Sequence, residues 1–251
     1  MASALEVAVQ ELTATAGGYL RNVIRQPGVT CSVCATPVQG YPRCFRCQQV
    51  HSTPHLADLV APLVYGIQGA QSGTLLRHYK DDPSARVRAL HGRIVNRLLY
   101  VGIMLHETCI ERRTGRPVTL RLTVPSLRGR AGTHPFLMTA LATRAVNPAP
   151  LLVRARGAAA HRMVSPEQFT LQPGVSLAGQ HILILDDTWT TGANAQSAVL
   201  TVRAAGADTV SVLVLGRWLV PGFADNAEFI RTRLRRDYDP RICPVTGGDC
   251  P

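Results

Sequence analysis

The sequence predicts an α/β protein: a mainly parallel sheet flanked by helices, with a small cysteine-rich module ahead of it. Three observations carry this reading. From about residue 59 onward, β-rich runs alternate with helical stretches, the mark of βαβ units. Ile182-Leu183-Ile184-Leu185 is continuously apolar, as a strand covered on both faces must be. Four of the seven cysteines fall within 17 residues of one another near the start of the chain.

The elements follow in order. Residues 4 to 25 read as a helix, with Leu5, Val9, Leu12, Ala16 and Leu20 near the helical period and Pro27-Gly28 as the stop. Residues 30 to 54 are poor in aliphatics and rich in Cys, Gly and Pro, so this piece needs a staple to fold. Leu59 to Ile67 reads as a strand. Ser84 to Ile110 is a long helical stretch, and Thr119 to Val124 is a β-rich run ending in Pro125-Ser126. His134 to Val146 reads as a helix and Leu151 to Arg154 as a short strand. Ala193 to Ala205 is helical and closes at Gly206, and Thr209 to Leu215 is a further apolar strand. Ala224 to Arg236 reads as a last helix before an irregular end.

Composition narrows the classes. Hydrophobic residues make up 46% of the 251, which supports a sizeable core and argues against global disorder. No run of 18 apolar residues suggests a membrane span. No basic stretch precedes an apolar core at the N-terminus, so a cytoplasmic location is expected. The formal charge of +11 is compatible with a polyanionic partner. However, Lys80 is the only lysine and the arginines are scattered, apart from a cluster at Arg231, Arg233, Arg235 and Arg236.

Cys31-Ser32-Val33-Cys34 and Cys44-Phe45-Arg46-Cys47 form a C-x2-C-x9-C-x2-C array. Two short thiolate pairs can complete a tetrahedral, closed zinc site of structural type, and Cys31, Cys34, Cys44 and Cys47 are its expected ligands. A redox pair and an iron–sulfur ligand set are the competing readings. Cys109 reads as a core residue. Cys243 and Cys250 are open to three readings: a pair, a second metal site, or thiols near a frayed end.

The functional weight lies in Ile182-Leu183-Ile184-Leu185-Asp186-Asp187-Thr188-Trp189-Thr190-Thr191-Gly192-Ala193-Asn194. Four buried aliphatics deliver two carboxylates to the C-terminal edge of a sheet, where open α/β sheets bind ligands. A loop of small hydroxyl residues and glycine then opens a helix, which makes an anion site from backbone amides and the helix dipole. Thr190 and Thr191 can donate, Gly192 permits close approach, and the paired acids suit ribose hydroxyls.

This stretch resembles the phosphoribosyl pyrophosphate (PRPP) motif of type I phosphoribosyltransferases. The resemblance implies that fold, with Asp186 and Asp187 on the ribose hydroxyls and Thr188 and Thr190 to Asn194 around the 5′-phosphate, including Thr191, Gly192 and Ala193. Magnesium would accompany PRPP. It implies a pyrophosphate loop at Val124-Pro125-Ser126-Leu127-Arg128, with Ser126 and Arg128 as its contacts, and a mobile hood over Arg154 to Gln172 carrying Arg154, Arg156, His161 and Arg162. Thr190 stands where the purine-salvage branch carries an acid, which speaks against purine salvage.

A four-cysteine knuckle ahead of such a domain resembles the ComF family, associated with competence and DNA uptake. Leu76-Arg77-His78-Tyr79-Lys80-Asp81-Asp82-Pro83 resembles a segment of that family, and the likeness spans about residues 30 to 217. The implied division is an N-terminal helix (1–25), a zinc-binding module (26–55), a phosphoribosyltransferase-like domain (56–221), and a C-terminal helix with a basic tail (222–251). Two functions are expected on this basis. One is transfer of a phosphoribosyl group to an acceptor that the residues do not name. The other is a non-enzymatic protein that handles single-stranded DNA.

Overall fold

A computed structural model describes residues 2–125, 135–136, 139, 147–148, 153–154 and 163–251. Helix α1 (Ala4–Leu12) begins at a capping box in which Ser3 and Glu6 satisfy each other's backbone amides. It runs into a π-helical turn, Thr13–Gly17, and stops at the Gly17-Gly18 pair. The expected helix over 4–25 is therefore shorter. Its last third is extended instead, because the outer edge of the sheet claims it: Asn22 bridges to Val64, and Tyr65 N–H donates to the Arg21 carbonyl at 2.9 Å. Covering an open strand edge outweighs the helical periodicity of Leu20 and its neighbours.

After the cysteine module, with its one-turn helix α2 (Phe45–Gln49), comes strand β1 (Leu59–Ile67). Helix α3 (Gln71–Asp81) follows and was not anticipated from the pattern. Its start demands glycine, since a Cβ at Gly73 would lie 2.1 Å from the Ile67 carbonyl oxygen. Helix α4 (Ala85–Thr114) is capped by Ser84 and closed by Gly115 at φ 73°. Strands β2 (Leu120–Thr123), β3 (Asn147–Pro148), β6 (His181–Trp189) and β7 (Thr209–Leu219) join β1 in one sheet, order β1-β7-β6-β2-β3, every neighbouring pair parallel. Helix α5 (Ala193–Ala204) connects β6 to β7, and α6 (Asn226–Arg233) precedes the tail. The helix expected over 134–146 lies almost wholly outside the described residues.

Alternating side chains of the central strands supply two cores. Leu183, Leu185, Leu213 and Leu215 pack against α1, α3 and α4. Ile182, Ile184, Val212 and Val214 pack against α5 and the cysteine module. A buried two-pronged ion pair, Arg121 of β2 to Glu107 of α4 at 2.6 and 2.7 Å, fixes that helix to the sheet. From β2 the chain moves outward to β3, whereas from β6 it moves the other way to β7. The strand order thus reverses between β2 and β6, and the crevice at their C-terminal ends is where such sheets place ligands.

Candidate functional site

Strand β6 runs four residues further than its apolar core, so Asp186 and Asp187 still belong to the ladder, Asp186 opposite Val214 of β7. Both acids are half-buried at the strand-order reversal. Their chemistry differs. Burial and then the charge of Asp187 push the Asp186 carboxyl up to about 7, well above its ordinary 3.8. Asp187 is instead engaged by partners. Its Oδ2 accepts from Tyr79 Oη at 2.9 Å and from Lys80 Nζ at 2.6 Å. Lys80 also lies 5.0 Å from the Tyr79 ring centroid, and Tyr79 stacks on Phe136 at 5.8 Å. Sequence reasoning quoted Tyr79-Lys80 only for its family likeness. The signal it could have used is that the chain's single lysine was available to neutralise one of the two acids.

Beyond β6 the chain turns through Thr190 and Thr191 into α5, whose N-cap is Gly192 at φ 82° with no side-chain cap. Thr191 Oγ1 accepts from the Ala193 amide at 3.3 Å. Asp186, Thr188, Thr190, Thr191, Gly192, Ala193 and Asn194 together line one concavity of about 180 Å³. That is below the usual 300–1,000 Å³ of drug-sized pockets. All the residues expected for the phosphate cradle are therefore gathered except Asp187, which turns toward Tyr79 and Lys80.

Two further side chains shape the loop. A Cβ at Gly192 would lie 2.1 Å from Cζ2 of the buried Trp189 ring, so the indole under the loop requires glycine there, as the positive φ does. Arg217 of β7 donates to the Trp189, Thr190 and Trp218 carbonyls at 2.6, 3.1 and 2.8 Å. It holds the loop's carbonyls on the protein side, and it escaped sequence reasoning because it lies outside the motif.

Ser126 and Arg128, expected for pyrophosphate, lie outside the described residues, as do Arg156, His161 and Arg162 of the expected hood. The two ends of that hood are described: β4 (Val153–Arg154) pairs antiparallel with β5 (Phe169–Thr170). Cys31, Cys34, Cys44 and Cys47 are brought together as expected, their sulfurs all within 4.8 Å of one another. The module packs on the sheet face beside α5. Cys109 is buried as expected, yet it does not simply fill the core, for His106, Cys243 and Cys250 surround it.

No family model matches this chain, and no curated protein matches it. Among solved structures it is similar to the hypoxanthine phosphoribosyltransferase of Staphylococcus aureus, with 11% identity, TM-score 0.30, and 50% of this chain covering 76% of that one. It is similar to the adenine phosphoribosyltransferase of Leishmania donovani, with 16% identity, TM-score 0.34, and 77% covering 75%. The corresponding Leishmania tarentolae enzyme gives 16% identity, TM-score 0.34, and 76% covering 81%. The chain itself has the fold class its sequence predicts: a parallel sheet flanked by helices, an acid pair in the C-terminal half of its central strand, and a four-cysteine module ahead of it.

Proposed function

We propose that this chain binds a phosphorylated ribose, with PRPP and magnesium as the favoured ligand, at the crevice where β6 gives way to α5. The observation that carries the reading is one concavity lined by Asp186 and by the glycine-opened start of α5. In this reading the 5′-phosphate lies against Thr190, Thr191, Gly192, Ala193 and Asn194, where first-turn amides and the helix dipole favour an anion. Asp186 and Asp187 accept from the ribose hydroxyls. Ser126 and Arg128 meet the diphosphate. The acid pair fits a hard cation, since burial and then the charge of Asp187 raise the Asp186 carboxyl, and a cation offsets both. Magnesium supplies charge neutralisation on the diphosphate. Lys80 keeps Asp187 an acceptor, Arg217 holds the loop open toward the ligand, and the 154–172 segment excludes water from the anomeric centre. Zinc at Cys31, Cys34, Cys44 and Cys47 is structural, because four thiolates leave no coordination position open. We assign the chain a ComF-like division, with residues 26–55 as the zinc module and 56–221 as the ligand-binding domain.

The test is calorimetric titration of the reduced, zinc-loaded protein with PRPP and magnesium, followed by pyrophosphate release with a panel of bases. Saturable binding that disappears in Asp186→Asn/Asp187→Asn supports the site; equal affinity in the double variant refutes it. Release with one base makes the protein a transferase and names its acceptor.

A second reading, single-stranded DNA handling, is favoured by one observation: Arg231, Arg233, Arg235 and Arg236 are all exposed around the end of α6. Phosphate contacts there require affinity that falls steeply with salt. A flat salt dependence would remove this reading.

A further inference from the structure

His106, Cys109, Cys243 and Cys250 converge at the junction of α4 and the C-terminal tail, 134 residues or more apart in sequence. Their ligand atoms all lie within 4.8 Å of one another. In a tetrahedral zinc site with sulfur ligands, neighbouring donors stand about 3.8 Å apart, so little movement is needed to close on one ion. We propose that these four residues form a second, structural zinc site of Cys3His type, clasping the tail to α4.

Three independent features support it. The first is the histidine. His106 Nε2 lies 2.8 Å from the Pro240 carbonyl oxygen, which can only accept, so Nε2 carries the ring proton. In the neutral ring Nδ1 then keeps its lone pair, and it lies 3.6 Å from Cys250 Sγ. Zinc-bound histidines are oriented in this way, one nitrogen on the metal and the other on a carbonyl. On α4, His106 and Cys109 stand one turn apart and share a face.

The second feature is the turn at Cys243. In the N-terminal module, Cys31 N–H donates to the Thr36 carbonyl at 2.8 Å and Ala35 N–H donates back to the Cys31 carbonyl at 3.0 Å, with Ala35 at φ 58°. The tail repeats this turn. Cys243 N–H donates to the Gly248 carbonyl and Gly247 N–H to the Cys243 carbonyl, both at 2.8 Å, with Gly247 at φ 83°. The same backbone frame thus presents Cys31 to one cluster and Cys243 to the other.

The third feature is Arg25, between the two clusters. Its guanidinium donates to the Pro244 carbonyl at 2.9 Å, to Ser32 and Val33 at 3.2 and 3.0 Å, and to Val60 at 2.6 Å. No carboxylate pairs with this half-buried cation among the described residues. Four thiolates on zinc carry a net charge of −2, and three with a neutral histidine carry −1. Two filled sites therefore supply the counter-charge that Arg25 otherwise lacks.

The experiment is zinc quantification on the purified full chain under reducing conditions, in wild type, Cys44→Ser, Cys250→Ser and His106→Gln. The expected contents are about two zinc ions in wild type, about one in each single variant, and almost none in Cys44→Ser/Cys250→Ser. Should the variants not fold, cobalt-loaded wild type decides the matter: its thiolate-to-metal absorption should correspond to about seven thiolates and not four. One zinc per wild-type chain overturns the proposal. So does a second zinc kept by both Cys250→Ser and His106→Gln, or an intact mass that shows a disulfide at Cys243 and Cys250.

Discussion

Arg217 donates from Nε to Thr36 Oγ1 at 2.6 Å, and through this pair the loop that opens α5 is tied to the first cysteine turn. Thr36 in turn lies 3.1 Å from Cys34 Sγ. A continuous polar chain therefore runs from a cysteine of the N-terminal four-cysteine module, through one guanidinium, to the Trp189 and Thr190 carbonyls. The module braces the candidate site from behind, and metal at one end has a physical route to loop geometry at the other.

Arg217→Ala should strand three carbonyls and the Thr36 hydroxyl in a buried setting. We expect a stability loss of about 3 kcal/mol and a ligand affinity at least about tenfold weaker. Arg217→Lys, with one point of charge in place of a planar fork, should recover only part of each. Denaturant unfolding and PRPP titration measure the two effects. Unchanged affinity in Arg217→Ala would show that the loop holds its shape without the brace.

Asp186 makes stability depend on pH. Folding raises its carboxyl from 3.8 to about 7, so the folded chain keeps a proton that the unfolded chain has released across that window. Stability therefore falls as pH rises through it, and the full cost is present above about 7. Asp186→Asn should remove this slope and stabilise the ligand-free protein at pH 8 by on the order of 2 kcal/mol. The charge of Lys80 acts to lower the Asp186 carboxyl, so Lys80→Met should move the midpoint upward. Urea midpoints between pH 4 and 9 test both, and a slope that survives in Asp186→Asn would assign it to another group.

Gly192→Ala should be nearly as damaging as Gly192→Val. Even one methyl meets the Trp189 ring, and the backbone sits at φ 82°. We expect a loss of about 2 kcal/mol or more, with phosphate affinity lost in parallel. Combining Gly192→Ala with Trp189→Ala should return part of the stability by clearing the ring, and a double-mutant cycle reads that coupling directly.

Chelation or Cys44→Ser should release about one zinc from the N-terminal module and loosen residues 30 to 50. Through Thr36 and Arg217, the loosening should extend to the 188–194 loop. Amide exchange measured by mass spectrometry would show faster exchange in both segments, and a change confined to residues 30 to 50 would break the proposed link.

The strand, the acid pair, the residues of the turn into α5 and the four N-terminal cysteines were legible in the sequence for one reason. Each set is contiguous, and the geometry of one strand-to-helix turn or one knuckle suffices to gather it. The long helix α4 was legible for the same local reason. What depends on distant partners was not. Leu20 to Arg25 keeps a helical pattern but runs extended, because the edge of β1 needed its backbone. Helix α3, broken in pattern by Ser72-Gly73-Thr74, forms because Gly73 fits against Ile67. Tyr79 and Lys80 reach Asp187 across 108 and 107 residues, and Arg217 reaches Thr36 across 181.

Cys109 reads as core in the sequence, and Cys243 and Cys250 stay open between a pair, a second metal site and free thiols, until α4 and the tail meet. The amino-acid order by itself determined which chemistry the chain carries: two acids before a glycine-opened helix, and thiols in pairs. Tertiary structure alone decided which acid pairs with Lys80, what braces the loop, and which four side chains share the second cluster. Those outcomes depend on which surfaces the closed core presses together, and no local spacing encodes them.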